Sequence, residues 1–255
     1  MKPYKGYLID LDGTMYRGNE VIKEAPDFVN RLREKNIPYL FLTNNSSKTP
    51  EAVSDKLNQM GIHSTPEHVF TSSMATAKYL KQQKQDASCY VIGEVGLHDA
   101  LKREGLQITD QHCDFVVTGM DREITYEKLA QACIAIREGA QFVSTNSDIA
   151  IPTERGLLPG NGALTSVITV STGKKPIFVG KPESIIVEEA LNVLGTDIKE
   201  TLVVGDNYHT DIQAGINAGI DTLMVFTGLT PYEDLPNLEV KPTYDVQKLT
   251  EFTIL

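Results

Sequence analysis

The sequence predicts an α/β protein: a doubly wound, Rossmann-like parallel-sheet core with a smaller α/β domain inserted into it. Three observations carry this. Short apolar runs rich in β-formers alternate with helical patterns along the chain, the signature of strands buried on both faces and joined by helical crossovers. The middle of the chain, about 87–175, has an alternation of its own. That middle is flanked by the polar stretches "KQQKQDAS" and "STGKKP", both linker-like. The core is therefore expected over 1–86 and 176–255, with 87–175 as the insert.

The elements follow in order. Tyr7–Asp10 reads as a first strand and Ala25–Asn36 as a helix with Pro26 in its first turn. "IPYLFLT", Ile37–Thr43, is a second strand. Thr49–Met60 is a helix capped by Thr49 and opened by Pro50, with Val53, Leu57 and Met60 on one face and Gly61 at its end. Ser72–Gln83 is again helical. In the insert, "CYVIG", "DFVVTG" and "QFVSTN" are strand candidates, and Val95–Glu104, Tyr126–Glu138 and Asn161–Thr172 are helix candidates. Back in the core come the strand Ile177–Val179, a helix over Pro182–Leu194 closed by Gly195, the strand Thr201–Gly205, a helix near Asp211–Ala218, and the strand Asp221–Phe226.

Composition bounds the function. The chain has 255 residues, 41% hydrophobic and 23% charged, as in an ordinary soluble globular protein with a real core. The formal net charge of -10 argues against nucleic acid, which recruits stripes of lysine and arginine. An anionic ligand would have to be drawn by a local site or a bound cation. Cys89, Cys113 and Cys133 are odd in number and widely spaced, which fits reduced thiols in a cytoplasmic protein and not a zinc site. The amino terminus lacks an apolar signal region, and no run is long enough to span a bilayer.

In an open parallel sheet, ligands bind beyond the carboxyl ends of the strands. The first strand delivers Asp10 and Asp12 there, and the second delivers Thr43, Asn44 and Asn45. "IFVG" is followed by Lys181, and "TLVVG" by Asp206, Asn207 and, one turn on, Asp211. Right-handed crossovers would bring these groups into one crevice. Asp10, Asp12 and Asp206 together make an oxygen-rich cluster suited to Mg²⁺. Two carboxylates 4 Å apart repel by roughly 4 kcal/mol at an effective dielectric near 20, a penalty that a divalent cation removes. Lys181 adds a second positive charge for a phosphate. Two carboxylates two residues apart can divide labour: Asp10 as nucleophile, forming an aspartyl-phosphate, and Asp12 as general acid and base. Gly13 lets the chain turn so that both address one ligand.

These motifs resemble the haloacid dehalogenase superfamily. "DLDGT" (Asp10–Thr14), "FLTNN" (Phe41–Asn45), "VGKP" (Val179–Pro182) and "GDNYHTD" (Gly205–Asp211) are similar to its four motifs in order and spacing. "TNNSSKTPE", "VIGEVGL", "STNSD", "LPGNGAL" and the long run from "VGDNYHTD" to "FTGLT" resemble the NagD-like group of nitrophenyl and acid-sugar phosphatases, whose α/β cap lies between the second and third motifs. The resemblance implies Asp10 as nucleophile and metal ligand, and Asp12 as acid/base lending a backbone carbonyl to the metal. It implies Thr43 and Asn44 on the transferring phosphoryl group, Lys181 neutralising nucleophile and phosphate, and Asp206 on Mg²⁺ with Asn207 and Asp211 in support. The family's phosphonatases, dehalogenases and ion-pumping ATPases carry other residues at the place of Asp12, so its presence favours phosphatase or phosphomutase chemistry. The expected activity is Mg²⁺-dependent hydrolysis of small phosphomonoesters, with the cap closing over the substrate. The alternatives are a phosphomutase and a ligand-binding protein with a vestigial site. The sequence does not name the metabolite, and it leaves open whether the chain dimerises through the cap, as relatives do.

Plainer readings stand beside these. "DLDGT" is also a turn after a strand. Lys181 is also a solvated lysine at a helix start, and Asp206, Asp211 and Asn45 are also capping residues. His209 reads as a loop histidine, and His63, His68, His98 and His112 lack ligand spacing. Asn146, Asp148 and Gly160 are candidates to touch substrate, although "TNSD" is also a plain turn. "STGKKP" is not a phosphate-binding loop, because Ile168 stands where its first glycine belongs.

Overall fold

The computed structural model describes residues 2–255. Its chain divides into two compact units. The first takes in the chain up to Thr43, then Pro50–Phe70 and Lys181–Leu255; the second comprises Asn44–Thr49 and Thr71–Gly180.

The first unit is built on a six-stranded sheet in the order Tyr244–Val246, Asp221–Val225, Thr201–Gly205, Gly6–Ile9, Tyr39–Thr43, Val69–Thr71. The pairings from Tyr244–Val246 across to Tyr39–Thr43 are parallel, with Ile9 opposite both Val204 and Phe41. The three central strands Gly6–Ile9, Tyr39–Thr43 and Thr201–Gly205 are buried along their whole length, which is why they read as continuous apolar runs without alternation. Helix Ala25–Glu34 lays Phe28, Val29 and Leu32 onto this sheet, in one cluster with Tyr7, Ile9, Phe41 and Val204. Each such buried side chain contributes about 1.5–3 kcal/mol. Arg31 fastens the helix to the chain end by donating to the carbonyls of Leu249 and Phe252. A small antiparallel hairpin, Tyr16–Arg17 with Glu20–Val21, follows the first strand.

The second unit holds a five-stranded, all-parallel sheet in the order Ile177–Phe178, Gln141–Ser144, Phe115–Thr118, Ser88–Ile92, Gln107–Ile108. Its core packs Ile92, Val116, Ala132, Ile136, Phe142 and Ile168. An antiparallel hairpin, Ala150–Thr153 with Gly156–Pro159, precedes the helix Asn161–Thr172.

Two expectations are corrected. The sequence order places the strand beginning at Ile177 in the core sheet, yet Ile177 pairs with Val143 and Phe178 with Ser144 in the five-stranded sheet. A short apolar run carries no mark of its partner; here it closes the crossover that began at Gln141–Ser144 and passed through Asn161–Thr172. The helix expected near Asp211–Ala218 is split into a π-helical turn at Tyr208–Ile212 and a short helix at Gln213–Ala218. Among the described residues no helix is long and apolar enough to cross a membrane.

Candidate active site

Three strand ends of the first unit meet around one lysine. Asp10 directly follows the strand Gly6–Ile9, and its N–H stays in the ladder, donating to Val204 O at 2.8 Å. Lys181 is 3% exposed, and its Nζ donates to Asp10 Oδ1 at 2.5 Å, Asp211 Oδ1 at 2.7 Å and Leu42 O at 3.1 Å. The Leu42 carbonyl lies one residue before Thr43, itself buried at the end of its strand. Asp206 follows Thr201–Gly205 and is fully buried. Its Oδ1 accepts from Thr14 Oγ1 at 3.0 Å and its Oδ2 from Leu229 N at 2.8 Å. Carboxylate oxygens of Asp10, Asp206 and Asp211 all lie within 4.8 Å of one another.

Local backbone chemistry makes this possible. Gly13 has φ +101, and a Cβ there would overlap the Asp206 carboxylate, as would one on Gly228. The chain can bring the turn after Asp10 and the loop after Asp221–Val225 against Asp206 only with glycine at both places. The π-helical turn aims Asp211 back at the sheet, where its Oδ2 accepts from Asn207 N at 3.1 Å. Asn207 Oδ1 caps that turn by accepting from His209 N at 3.0 Å, and His209 itself is exposed. Thr227 Oγ1 donates to Gly13 O at 2.6 Å and holds the two loops together.

The electrostatics are unbalanced. Burial, then the neighbouring Asp211 carboxylate, push the Asp10 carboxyl well above the ordinary carboxylate range; Lys181 opposes this and Asp206 adds to it. Burial and Asp211 push Asp206 up to about 6, against the Leu229 N–H, the Thr14 hydroxyl and Lys181. Burial works against the Lys181 ammonium, but Asp10 and Asp211 outweigh it and hold its pKa above the usual value. Three buried carboxylates therefore face one ammonium. A hard-oxygen donor set with surplus negative charge fits a divalent cation.

Asp12 is exposed, and its Oδ1 faces Gly18 N at 3.5 Å. Its carboxylate stands apart from the three clustered ones, the one such cluster among the described residues. Asn44 and Asn45 fall in the second unit. Asn44 Nδ2 donates to both Asp148 oxygens, at 3.2 and 3.3 Å, and its carbonyl accepts from Ser72 Oγ at 2.8 Å and Asn146 Nδ2 at 2.9 Å. Asn45 Oδ1 caps the following turn, accepting from Ser47 N at 2.9 Å and Lys48 N at 3.0 Å. Gly160 lies with its Cα against the Asp148 carbonyl.

Sequence reasoning gave no role to Thr14, Thr227 or Leu229, which shape the Asp206 pocket. Thr14 lies inside the "DLDGT" motif, and Thr227 and Leu229 lie inside "FTGLT". Their hydrogen bonds to a residue some two hundred positions or two dozen positions away leave no local pattern to read.

A haloacid dehalogenase-like hydrolase model matches residues 7–107, and a second, HAD-hydrolase-like model matches residues 178–252. The chain belongs to the haloacid dehalogenase-like hydrolases. Within that family it falls in the NagD-like phosphatase group. It is 63% identical over 252 residues to the 5'-nucleotidase YutF of Bacillus subtilis, covering 99% of this chain and 98% of that protein. It is 54% identical over 252 residues to an acid sugar phosphatase of Staphylococcus aureus, covering 98% and 97%. The structure of a double mutant of the thermostable NPPase from Geobacillus stearothermophilus superposes with a TM-score of 0.95 at 55% identity, covering both chains fully. NagD from E. coli K-12 does so with a TM-score of 0.94 at 32% identity, again covering both. As a haloacid dehalogenase-like enzyme, the chain is a phosphatase.

Proposed function

We propose that this haloacid dehalogenase-like chain hydrolyses small phosphomonoesters through an aspartyl-phosphate on Asp10, with Mg²⁺ as its metal. The observation that carries the proposal is the Lys181 ammonium gripping Asp10 at 2.5 Å and Asp211 at 2.7 Å, beside the Asp206 carboxylate. Asp10 Oδ1 takes the lysine, while Oδ2 accepts no hydrogen bond among the described residues. That oxygen is the proposed nucleophile.

Asp10, Asp206 and the Asp12 carbonyl are the proposed metal ligands, with Asp211 and Asn207 supporting them. When bound, Mg²⁺ would neutralise the clustered carboxylates and the phosphate dianion. Asp10 Oδ2 attacks phosphorus as the bond to the leaving oxygen breaks, and Asp12 gives that oxygen its proton. The Asp12 carboxylate then takes a proton from water, which attacks the same phosphorus. Asp10 leaves as carboxylate and inorganic phosphate is released. Lys181 stabilises the charge at Asp10, and Thr43, Asn44 and Asn45 are the proposed donors to the phosphoryl group. Most of the acceleration comes from such positioning and charge neutralisation.

We further propose the second unit as the cap domain expected over 87–175, and nucleoside monophosphates, sugar phosphates and p-nitrophenyl phosphate as the first substrates to try. Relatives named as a 5'-nucleotidase and as an acid sugar phosphatase support that choice. The test is acid quench of the enzyme with p-nitrophenyl phosphate and Mg²⁺, scoring acyl-phosphate on the protein and free phosphate together. Wild type should show both and Asp10→Asn neither. An Asp10→Asn protein that hydrolyses the ester at the wild-type rate would refute the nucleophile assignment.

A further inference from the structure

The hairpin behind the Asp10–Asp12 turn is held by a lysine that the proposed reaction leaves without a role. Asp12 forms a backbone bridge with Tyr16, and Gly13 N donates to Tyr16 O at 2.7 Å. Tyr16 opens the hairpin, and its ring is buried. From helix Pro50–Gln59, the Lys56 Nζ sits 3.9 Å from the centroid of that ring. The same Nζ donates to Gly18 O at 2.9 Å. Gly18 lies in the turn of the hairpin, and its N–H points back at Asp12 Oδ1 from 3.5 Å. The contacts close a ring: Asp12, Gly13, Tyr16, Lys56, Gly18, Asp12. All five residues lie in the first unit.

The plain account is a surface lysine tidying a short loop. Two features argue for more. Strands of two residues cannot hold themselves together in water, so the hairpin depends on outside contacts. The exposed Asp12 carboxylate has, among the described residues, no hydrogen bond other than the one from the hairpin turn. Whatever fixes the turn fixes the carboxylate.

We infer that Lys56 is a positioning residue for Asp12: by gripping the Tyr16 ring and the Gly18 carbonyl, it presses the hairpin onto the 10–13 turn and sets the direction of the Asp12 carboxylate. The inference rests on the reading of Asp12 as acid and base. In that reading the proton moves from the Asp12 carboxyl to the leaving oxygen as the phosphorus–oxygen bond breaks. An alkoxide needs that proton, whereas p-nitrophenolate leaves almost without it. A misplaced Asp12 therefore harms alkyl phosphates selectively.

The experiment compares kcat/KM for glycerol 3-phosphate and p-nitrophenyl phosphate, with Mg²⁺, in the full-length wild type and in Lys56→Gln, Lys56→Arg, Tyr16→Leu and Asp12→Asn. Urea midpoints verify that each is folded. Lys56→Gln should lower the alkyl value about tenfold more than the aryl value, the size of a lost cation–π and hydrogen-bond contact. Tyr16→Leu cuts the same link from the ring side, should behave alike, and carries the comparison if Lys56→Gln fails to fold. Lys56→Arg, which keeps the cation over the ring, should restore most of the loss. Equal losses on both substrates, or none, in the folded Lys56→Gln and Tyr16→Leu proteins overturn the role. Asp12→Asn tests the underlying reading separately: equal losses on both esters there remove Asp12 as the acid. Discrimination by Asp12→Asn but not by Lys56→Gln removes only Lys56.

Discussion

Replacing Lys181 by Met keeps the length of the side chain and removes its charge, which isolates the electrostatic part of the site. In the wild type the buried ammonium holds Asp10 at 2.5 Å and Asp211 at 2.7 Å. Without it, carboxylates whose oxygens lie within 4.8 Å of each other are left with no cation. Their mutual repulsion is about 3.5 kcal/mol at an effective dielectric near 20. Removing one partner of a buried pair generally costs about 3–5 kcal/mol. Urea unfolding of the EDTA-treated protein near neutral pH should therefore show a loss in that range. The pH dependence has a definite sign. The folded-state Asp10 carboxyl already stands above the ordinary range, and losing Lys181 raises it further. A raised folded pKa means that the native state holds its proton more tightly than the unfolded chain. The variant is thus relatively better off at low pH and loses stability as pH rises through that pKa. The deficit should shrink as pH falls from neutral through that raised folded-state pKa, where Asp10 takes up a proton. Adding Asp10→Asn to Lys181→Met should recover most of it. A deficit below about 1 kcal/mol at neutral pH, the range of an exposed ion pair, would refute the reasoning, as would a deficit that does not vary with pH.

Other expectations are as direct. Gly13→Ala forces a side chain into φ +101 and against the Asp206 carboxylate, and should cost about 2–4 kcal/mol in urea unfolding and abolish phosphate release. Asn161 Nδ2 donates to Ser144 Oγ at 2.9 Å and Asn146 O at 2.7 Å; Asn161→Asp turns a donor into a buried acceptor there and should lower stability by about 2–4 kcal/mol at neutral pH, read by thermal or urea unfolding. Burial pushes the Glu104 carboxyl up, but hydrogen bonds from Lys81 and Lys78 prevail and leave it below its usual value. Its contribution is present above the unfolded pKa of about 4.3 and fades as pH falls through the lower folded value, so the stability gap between wild type and Glu104→Gln should close once pH is below both values. EDTA should abolish p-nitrophenyl phosphate hydrolysis and added Mg²⁺ restore it; full activity after exhaustive chelation would remove the metal from the proposal.

Much of the fold was legible because its signals are local. Continuous apolar runs marked the buried strands Gly6–Ile9, Tyr39–Thr43 and Thr201–Gly205, and glycine stops in left-handed backbone marked helix ends at Gly61 and Gly195. Tyr16–Arg17 with Glu20–Val21 and Ala150–Thr153 with Gly156–Pro159 escaped notice. Apart from the buried Tyr16 and the half-buried Ile151 and Leu158 their residues are exposed, so no regular pattern of burial disciplines them. The sheet of Ile177–Phe178 went unread for another reason, since which strand a run pairs with is settled by hydrogen bonds to residues far along the chain.

By itself the sequence determined an inventory: which segments are strands and helices, that charged or polar groups stand at the strand ends, and that four short motifs follow one another in the order of a known hydrolase family. Those are properties of neighbours in the chain, written by steric preference and hydrophobic period. Only the tertiary structure decided that Lys181 lies between Asp10 and Asp211 rather than beside Asp206 alone, that Thr14 and Leu229 share the two Asp206 oxygens, and that Lys56 grips the hairpin next to Asp12. The physical reason is range. Hydrogen bonds and ion pairs act over a few ångströms of space, and the separation in sequence between such partners is set by the packing of the whole sheet.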